Sequence, residues 1–425
     1  MSITRDQAVA MDVDDRLAPL REQFVLPEGV IYLDGNSLGA LPKTTASRVQ
    51  SVIANEWGQD LIASWNSAGW IDLPRRTGDQ IARLIGARAG EVVVADSTSV
   101  NLFKVLSAAV RITKARDPER TVIVSERSNF PTDLYIAQAL AEQYGFHLRL
   151  VEKEEIVDAI NPQLAVLLLT HVNYRTGAMH DMAALSAKAH AGGALIVWDL
   201  AHSAGAVPLH VHADDADFVI GCGYKYLNGG PGAPAFVWAH PRWVDRFQQP
   251  LSGWMGHAVP FAFETGYLPA SGIARYLCGT PAVIAMAALA CGVDSVLAAE
   301  PYGGMAALRA KSLALTRLFA DRVSTFAAEF DLTIVSPMDD ALRGSQVSLA
   351  CEAGGYAIVQ ALIARGVIGD FRAGDALQSA DILRFGFTPL YTRFVDAWDA
   401  AWHLHEVLRS GIWRDACYAE RHAVT

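Results

Sequence analysis

The chain has little cysteine, no basic stretch and no glycine-rich dinucleotide signature. Its five cysteines (Cys222, Cys278, Cys291, Cys351, Cys417) are odd in number and form no CxxC pair. That pattern argues against a disulfide framework and fits reduced thiols. Lys and Arg total 35 against 45 Asp and Glu, for a net charge of -10, which excludes nucleic acid as an expected partner. A small anion can still be held by local donors. No apolar run is read as membrane-spanning. The polar start, MSITRDQAVAMDVDDRL, is neither a signal nor a transit peptide. The expectation is a soluble, cytoplasmic protein with no membrane partner. No internal repeat or low-complexity linker is found. His210 and His212 form an HxH with no acidic or cysteine ligand at metal spacing, so no metal is expected. Hydrophobic residues make up 52% of the 425 residues and charged ones 19%, enough for a sizeable core and too apolar for disorder.

The most informative stretch is ALIVWDLAHSAGAVPLHVHADDADFVIGCGYKYLNGGPG, residues 194–232. Two short apolar runs, Ala194 to Trp198 and Phe218 to Ile220, read as buried strands. The first ends in Asp199 with His202 close behind, the second in Gly221-Cys222-Gly223 and then Tyr224-Lys225-Tyr226. In open α/β sheets ligands bind at the carboxyl edge of the strands. A lysine able to form a Schiff base, with a carboxylate to keep a pyridinium nitrogen protonated, is the pair that pyridoxal phosphate chemistry needs. His202 is placed to stack on the ring. A strand-end Asp capping a loop beside a surface Lys gives the same pattern, but a lysine among glycines and aromatics is rarely a solvated charge.

The rest of the chain supports a sheet enzyme. A helix is expected over 12–26, then a strand at Val30–Leu33, a turn at Gly35–Gly39 and a helix starting at Pro42. Gly35-Asn36-Ser37-Leu38-Gly39 matches the G-x-S-x-G of a serine hydrolase elbow, with Ser37 as nucleophile. It lies on the first strand, however, and a loop in which Asn36 and Ser37 line a site is the preferred reading. Trp57, Trp65 and Trp70 stand within fourteen residues; most such aromatics are core, and Trp65 is the candidate to stack on an aromatic ligand. Residues 91–110 give a strand, a hydroxyl-rich turn and a helix whose N-terminus carries Thr98 and Ser99, where free amides and the dipole favour a phosphate; plain helix capping by Ser or Thr is the alternative. Residues 121–140 repeat the scheme, with Phe130 and Asp133 in the turn. Strands follow at 146–152 and at 164–172, the latter tipped by Thr170, and a seventh at 234–240. Strands alternating with helices from 90 to 240 predict a mostly parallel sheet. Residues 251–280 are irregular, an apolar helix covers 281–299, and an amphipathic one lies near 307–328. Residues 331–410 alternate strand and helix, with Arg384 in DILRFGF, able to bind a carboxylate bidentately or to form a structural salt bridge.

Taken together, YLDGNSLGALP, DSTSVNLF, SNFPTDLY, VNYRTGAMHD, WDLAHSAGAVPL, GYKYLNGGPGAPAF, GWMGH and LRFGFTPLYTRF resemble the kynureninase family of fold-type I, class V-like pyridoxal phosphate enzymes. They run in family order from residue 32 to 394. The resemblance implies a large cofactor domain (71–300) with a seven-stranded, mostly parallel sheet, a smaller C-terminal α+β domain (301–425), and an N-terminal segment (1–70) that packs with the small domain and lines the site. It implies that Lys225 anchors the cofactor and moves protons, Asp199 pairs the ring nitrogen and His202 lies on the ring. Thr98, Ser99, Phe130, Asp133 and Thr170 would line the cofactor pocket, with Tyr224 reaching the phosphate and serving as acid or base. Trp254 and Thr280 would reach the neighbouring subunit's site in a homodimer, and Arg384 would clamp the substrate's carboxylate. The implied reaction is hydrolysis of L-kynurenine, and of 3-hydroxykynurenine as a second substrate, to the anthranilate and L-alanine in tryptophan catabolism. Where the family's animal members carry a histidine, this chain has Ala63-Ser64-Trp65-Asn66, so no group to hold a ring hydroxyl carries over. The rival readings are a class V aminotransferase, a cysteine desulfurase using Cys351, a non-catalytic cofactor-binding protein and the Ser37 hydrolase.

Overall fold

The computed structural model describes residues 3–247, 249–374 and 380–421. Its larger sheet has seven strands: β1 (Val92–Val94), β2 (Val122–Glu126), β3 (His147–Val151), β4 (Leu164–Thr170), β5 (Leu195–Asp199), β6 (Phe218–Gly221) and β7 (Phe236–Ala239), in the order β1-β7-β6-β5-β4-β2-β3. Strands β2 to β6 run parallel, whereas β7 is antiparallel to both β1 and β6. All seven residues of β4 are buried, as expected of a parallel sheet covered on both faces. The strand period of two divides that burial: Leu167, Leu169, Ile196 and Trp198 join one core, Val166, Leu168, Leu195 and Val197 the other.

Besides two single-turn helices (Ser64–Ser67 and Pro241–Val244), ten longer α-helices organise the rest among the described residues: α1 (Arg5–Val13), α2 (Lys43–Ser51), α3 (Leu73–Ile85), α4 (Thr98–Arg116), α5 (Pro131–Tyr144), α6 (Met182–Ala191), α7 (Val283–Leu297), α8 (Gly304–Ser324), α9 (Gly355–Ile363) and α10 (Phe394–Ser410). The smaller sheet is wholly antiparallel: β8 (Leu332–Ile334), β9 (Gln346–Cys351), β10 (Asp370–Arg372) and β11 (Asp381–Gly386), in the order β8-β9-β11-β10. It shares one apolar core with α8, α9 and α10. The N-terminus joins this lobe: α1 packs on α10, with Arg5 and Asp399 paired at 2.7 Å. Further on, Ile31–Tyr32 pairs in parallel with Val367–Ile368.

Two expectations need correction. The first helix lies at Arg5–Val13, not 12–26, because Thr4 and Gln7 form a reciprocal capping box there. Leu17, Leu20 and Phe24 bury from a 3-10 turn containing Pro19 rather than from an α-helix. The apolar stretch Val283–Tyr302 is in fact long and apolar enough to cross a bilayer, yet α7 within it packs against α2 and α3, with Met286, Leu289 and Val293 in the core. Residues 251–280 form only short 3-10 turns.

Candidate active site

Parallel strands β5 and β6 are neighbours, so their carboxyl ends bring Asp199 and Lys225 together at one sheet edge. Both face a cavity of about 70 Å³ lined also by Thr98, Ser99, Phe130, Asp133, Thr170, His202 and Tyr224. Lys225 Nζ lies 2.8 Å from His202 Nε2 and 6.0 Å from the centre of the Phe130 ring. The segment is pinned from below: Gly39 N–H donates to the Tyr224 carbonyl at 2.8 Å. A Cβ on Gly39 would fall 2.4 Å from the Lys225 carbonyl oxygen, so only glycine permits that approach.

Burial sets the charges. It lowers the Lys225 amine, with Asp199 acting the other way, which enriches the nucleophilic free amine. His202 is pushed well below its usual range by burial and then by Lys225, so it is a neutral ring. Asp133 is pushed well up by burial and next by the Asp199 charge, and as an acid it donates a hydrogen bond to Asp199. Asp199 is raised by burial too, but Lys225, the Ala201 N–H at 2.8 Å and Asp133 all oppose that. Burial thus disfavours two bare carboxylates here, and the coupled pair titrates as one unit in which a shared proton is favoured, with Lys225 and the Ala201 N–H favouring the charge on Asp199. Burial also raises Tyr224, which keeps the phenol protonated and able to donate.

At the other end, helix α4 is capped by Ser97, whose Oγ accepts from Val100 N–H at 3.3 Å. The capping alternative thus belongs to Ser97, and Thr98 and Ser99 remain to face the cavity. A second cavity of about 470 Å³ shares Thr98 and Tyr224 with the first and is lined by Thr280. Asp96, just before the cap, holds a left-handed φ of 48° and is tied to the fully buried Lys104, a strained turn of the kind found at binding loops. The two adjoining spaces fit pyridoxal phosphate: an amine and a carboxylate at the ring end, hydroxyls and helix amides at the phosphate end.

The remaining candidates lie around this centre. Arg384 is buried on β11; it donates to the Tyr174 carbonyl at 2.8 Å and Ser37 Oγ at 2.7 Å, and pairs with Asp370. Its charge is near enough to lower Lys225 and His202. Ser37 donates to Asp370 Oδ2 at 3.1 Å, and among the described residues no histidine is on it, so the elbow shows no base there. Asn36 is wholly buried, its amide packed against Gly386 rather than facing Lys225. Cys351 is buried at the end of β9, its thiol pushed up to about 12 by burial, which is the wrong direction for a desulfurase nucleophile. Trp65 and Trp254 do not line the Lys225 cavity; they meet edge-on at 5.9 Å in a cluster with Phe261 and Trp70. Sequence reasoning missed Tyr174, which faces the cavity and meets Phe130 edge-on at 5.2 Å, and it missed Asp370 and Arg372. DFR on a short strand carried no signal without its partner Arg384.

Comparison with known proteins gives one consistent answer. The family model of the kynureninase C-terminal domain matches residues 308–404. A kynureninase of Pseudomonas fluorescens is 57% identical over 425 residues, 99% of this chain and 100% of its own. One from Burkholderia pseudomallei (strain K96243) is 54% identical with the same coverage. Among solved structures, a cysteine desulfurase from Thermococcus onnurineus NA1 superposes with a TM-score of 0.75 at 20% identity, covering 92% of this chain and 98% of its own. One from Escherichia coli gives 0.76 at 20%, covering 93% and 99%. These two show the shared fold.

Proposed function

The chain belongs to the kynureninase family, and on that footing we propose that it hydrolyses the Cβ–Cγ bond of L-kynurenine to give anthranilate and L-alanine, using pyridoxal phosphate. The observation that carries this reading is the buried constellation of Lys225, His202 and the Asp199–Asp133 pair at one sheet edge. Bound there, the cofactor supplies an electron sink for negative charge at the substrate's Cα. The chain supplies the rest. Lys225, favoured as a free amine, anchors the cofactor and carries the Cα proton. Asp199, with Asp133 favoured as the proton holder of the pair, would pair the ring nitrogen. Arg384 takes the substrate's α-carboxylate, and Tyr224 donates the proton that Cβ takes up once water has added at Cγ and the Cβ–Cγ bond has broken, the hydroxyl leaving with anthranilate.

Homodimerisation belongs to the same proposal. Phe261, Phe263 and Trp57 are more than half exposed around the Trp65–Trp254 cluster, and an apolar hollow lined by Leu41, Val49, Trp57, Trp70 and Ile284 lies beside it. Exposed aromatics on that scale call for a cover, and a second copy would bring Trp254 and Thr280 to its neighbour's cofactor. We also assign the chain to the cytoplasm, on its unpaired cysteines, and to tryptophan catabolism. The test is to mix the purified, cofactor-loaded protein with L-kynurenine and follow anthranilate fluorescence and alanine. Equal amounts of both products support the reaction; a keto acid in place of alanine would point to transamination and overturn it. Sedimentation tests the dimer, and a Phe263→Glu variant that sediments as a monomer supports the assigned face.

A further inference from the structure

Beneath the proposed carboxylate clamp lies a buried cluster with more donors than acceptors. Register places Asp370 on β10 directly opposite Arg384 on β11. The Oδ2 atom of Asp370 is approached by three groups: Arg384, Arg372 at 2.8 Å and the Ser37 hydroxyl at 3.1 Å. At the same time, Nε of Arg384 and Nε of Arg372 are buried with no partner among the described residues. Two guanidinium groups carry roughly ten N–H donors between them, and a crowded carboxylate oxygen beside idle buried N–H groups marks a site short of one acceptor. The charges agree. Two cations face Asp370, and among the described residues the further acid of the cluster, Asp34, is pushed up to about 7 by burial and then by Asp370, so it adds only a partial negative charge near neutral pH. One more carboxylate would balance the cluster.

We propose that Arg372 is a positioning residue for substrate binding: by holding Asp370 it lets Arg384 exchange that internal carboxylate for the α-carboxylate of the substrate. The proposal rests on the reading of Arg384 as the substrate clamp. Without Arg372, the exchange would leave Asp370 as a buried anion with no guanidinium on it among the described residues, which opposes it. With Arg372, Asp370 keeps a guanidinium throughout, and only the partner of Arg384 changes. Arg372 is about one-third exposed where Arg384 is closed off, so it has room to follow Asp370.

The test titrates the cofactor-loaded full chain with two ligands, L-alanine and ethylamine, reading the cofactor's absorbance; the two share an amine and differ in the carboxylate. Arg372→Gln is expected to weaken L-alanine roughly tenfold, the scale of one hydrogen bond to a charged group, and to leave ethylamine unchanged. Arg372→Lys should recover most of that loss. Asp370→Asn, which removes the competing charge, should tighten L-alanine. With kynurenine, Arg372→Gln should raise KM with kcat within a few-fold. Equal weakening of both ligands, no change in either, or selective loss of L-alanine in Asp370→Asn would overturn the exchange. Because the titration needs no turnover, a protein that makes no anthranilate but shows the alanine-selective change refutes the assigned reaction and leaves this subsite standing.

Discussion

Asp217 ties together the feet of the two strands whose tips carry Asp199 and Lys225. It stands immediately before β6, is fully buried, and accepts from Ile196 N–H on β5 at 2.9 Å. It also takes Arg242 at 2.7 Å, Trp243 Nε1 at 2.5 Å and His190 Nε2 at 2.8 Å. His190, at the end of α6, spans Asp217 and Asp215, the latter at 3.0 Å. His190→Gln deletes this charged bridge and leaves Arg242 in place. A hydrogen bond to a charged group contributes about 1.5–3 kcal/mol; with Arg242 still compensating, the lower half of that range applies, or, for a chain of this length, a fall in thermal midpoint of roughly 2 °C. The pH dependence follows from the sign. The hydrogen bond to Asp217 chiefly, against burial, raises His190, so the stabilisation is complete below its unfolded value of about 6.5 and is lost as pH rises through the folded one. Asp217 is held low: burial opposes this, but His190 and the other donors outweigh it. Its contribution is therefore lost only in acid, as pH falls through a value under the unfolded carboxylate's, about 3.9. Thermal melts of both proteins at pH 5.5 and pH 9 decide the matter. The gap between them should be wide at 5.5 and narrow at 9; an equal gap, or a wider one at 9, refutes a charged His190.

Four further outcomes follow from the site. Asp133→Asn, which mimics a group already held neutral, should keep kcat within about tenfold, while Asp199→Asn should lose roughly a hundred- to a thousandfold, as does removal of a preorganised electrostatic partner in a dry site; similar losses in both would disprove the proton assignment. Ser97→Ala should cost about 1 kcal/mol, the usual value of an N-cap, measured as a lower melting midpoint of the cofactor-free protein. Gly39→Ala should destabilise by about 1–3 kcal/mol through overpacking and reduce kcat by displacing Lys225, seen in melts and steady-state rates. Arg384→Lys keeps the charge but loses the fork, and is expected to raise KM for kynurenine by tenfold or more with a smaller change in kcat.

What sequence could reveal divides along a physical line. The parallel sheet was legible because buried strands must be continuous apolar runs, as in Leu164–Thr170, and because two of the central ones, Leu164–Thr170 and Leu195–Asp199, end in a polar residue at the ligand edge. Asp199, Lys225, His202 and Thr170 were found that way, from local rules alone. Asp370 and Arg372 were not, since their meaning depends on register across an antiparallel pair: Asp370 matters because Arg384 stands opposite it. Likewise the N-cap fell to Ser97 rather than Thr98, a one-residue difference that periodicity does not resolve and a hydrogen bond does.

The two kinds of residue also serve different ends. The sheet edge fixes the charge state of the reacting groups by burial, which is why Lys225, His202 and Asp133 all shift in the direction that favours the neutral form. The smaller sheet does the opposite. There the charges of Arg384, Arg372 and Asp370 are kept and paired, because recognition of a carboxylate needs a full cation whose partner can be exchanged. Between them runs the loop around Ser37 and Gly39, hydrogen-bonded to Asp370 on one side and to the Tyr224 carbonyl on the other. A shift of the small sheet that moved Asp370 would therefore reach Lys225 through Ser37–Gly39 and the hydrogen bonds at either end of it, a route along which carboxylate binding bears on proton handling.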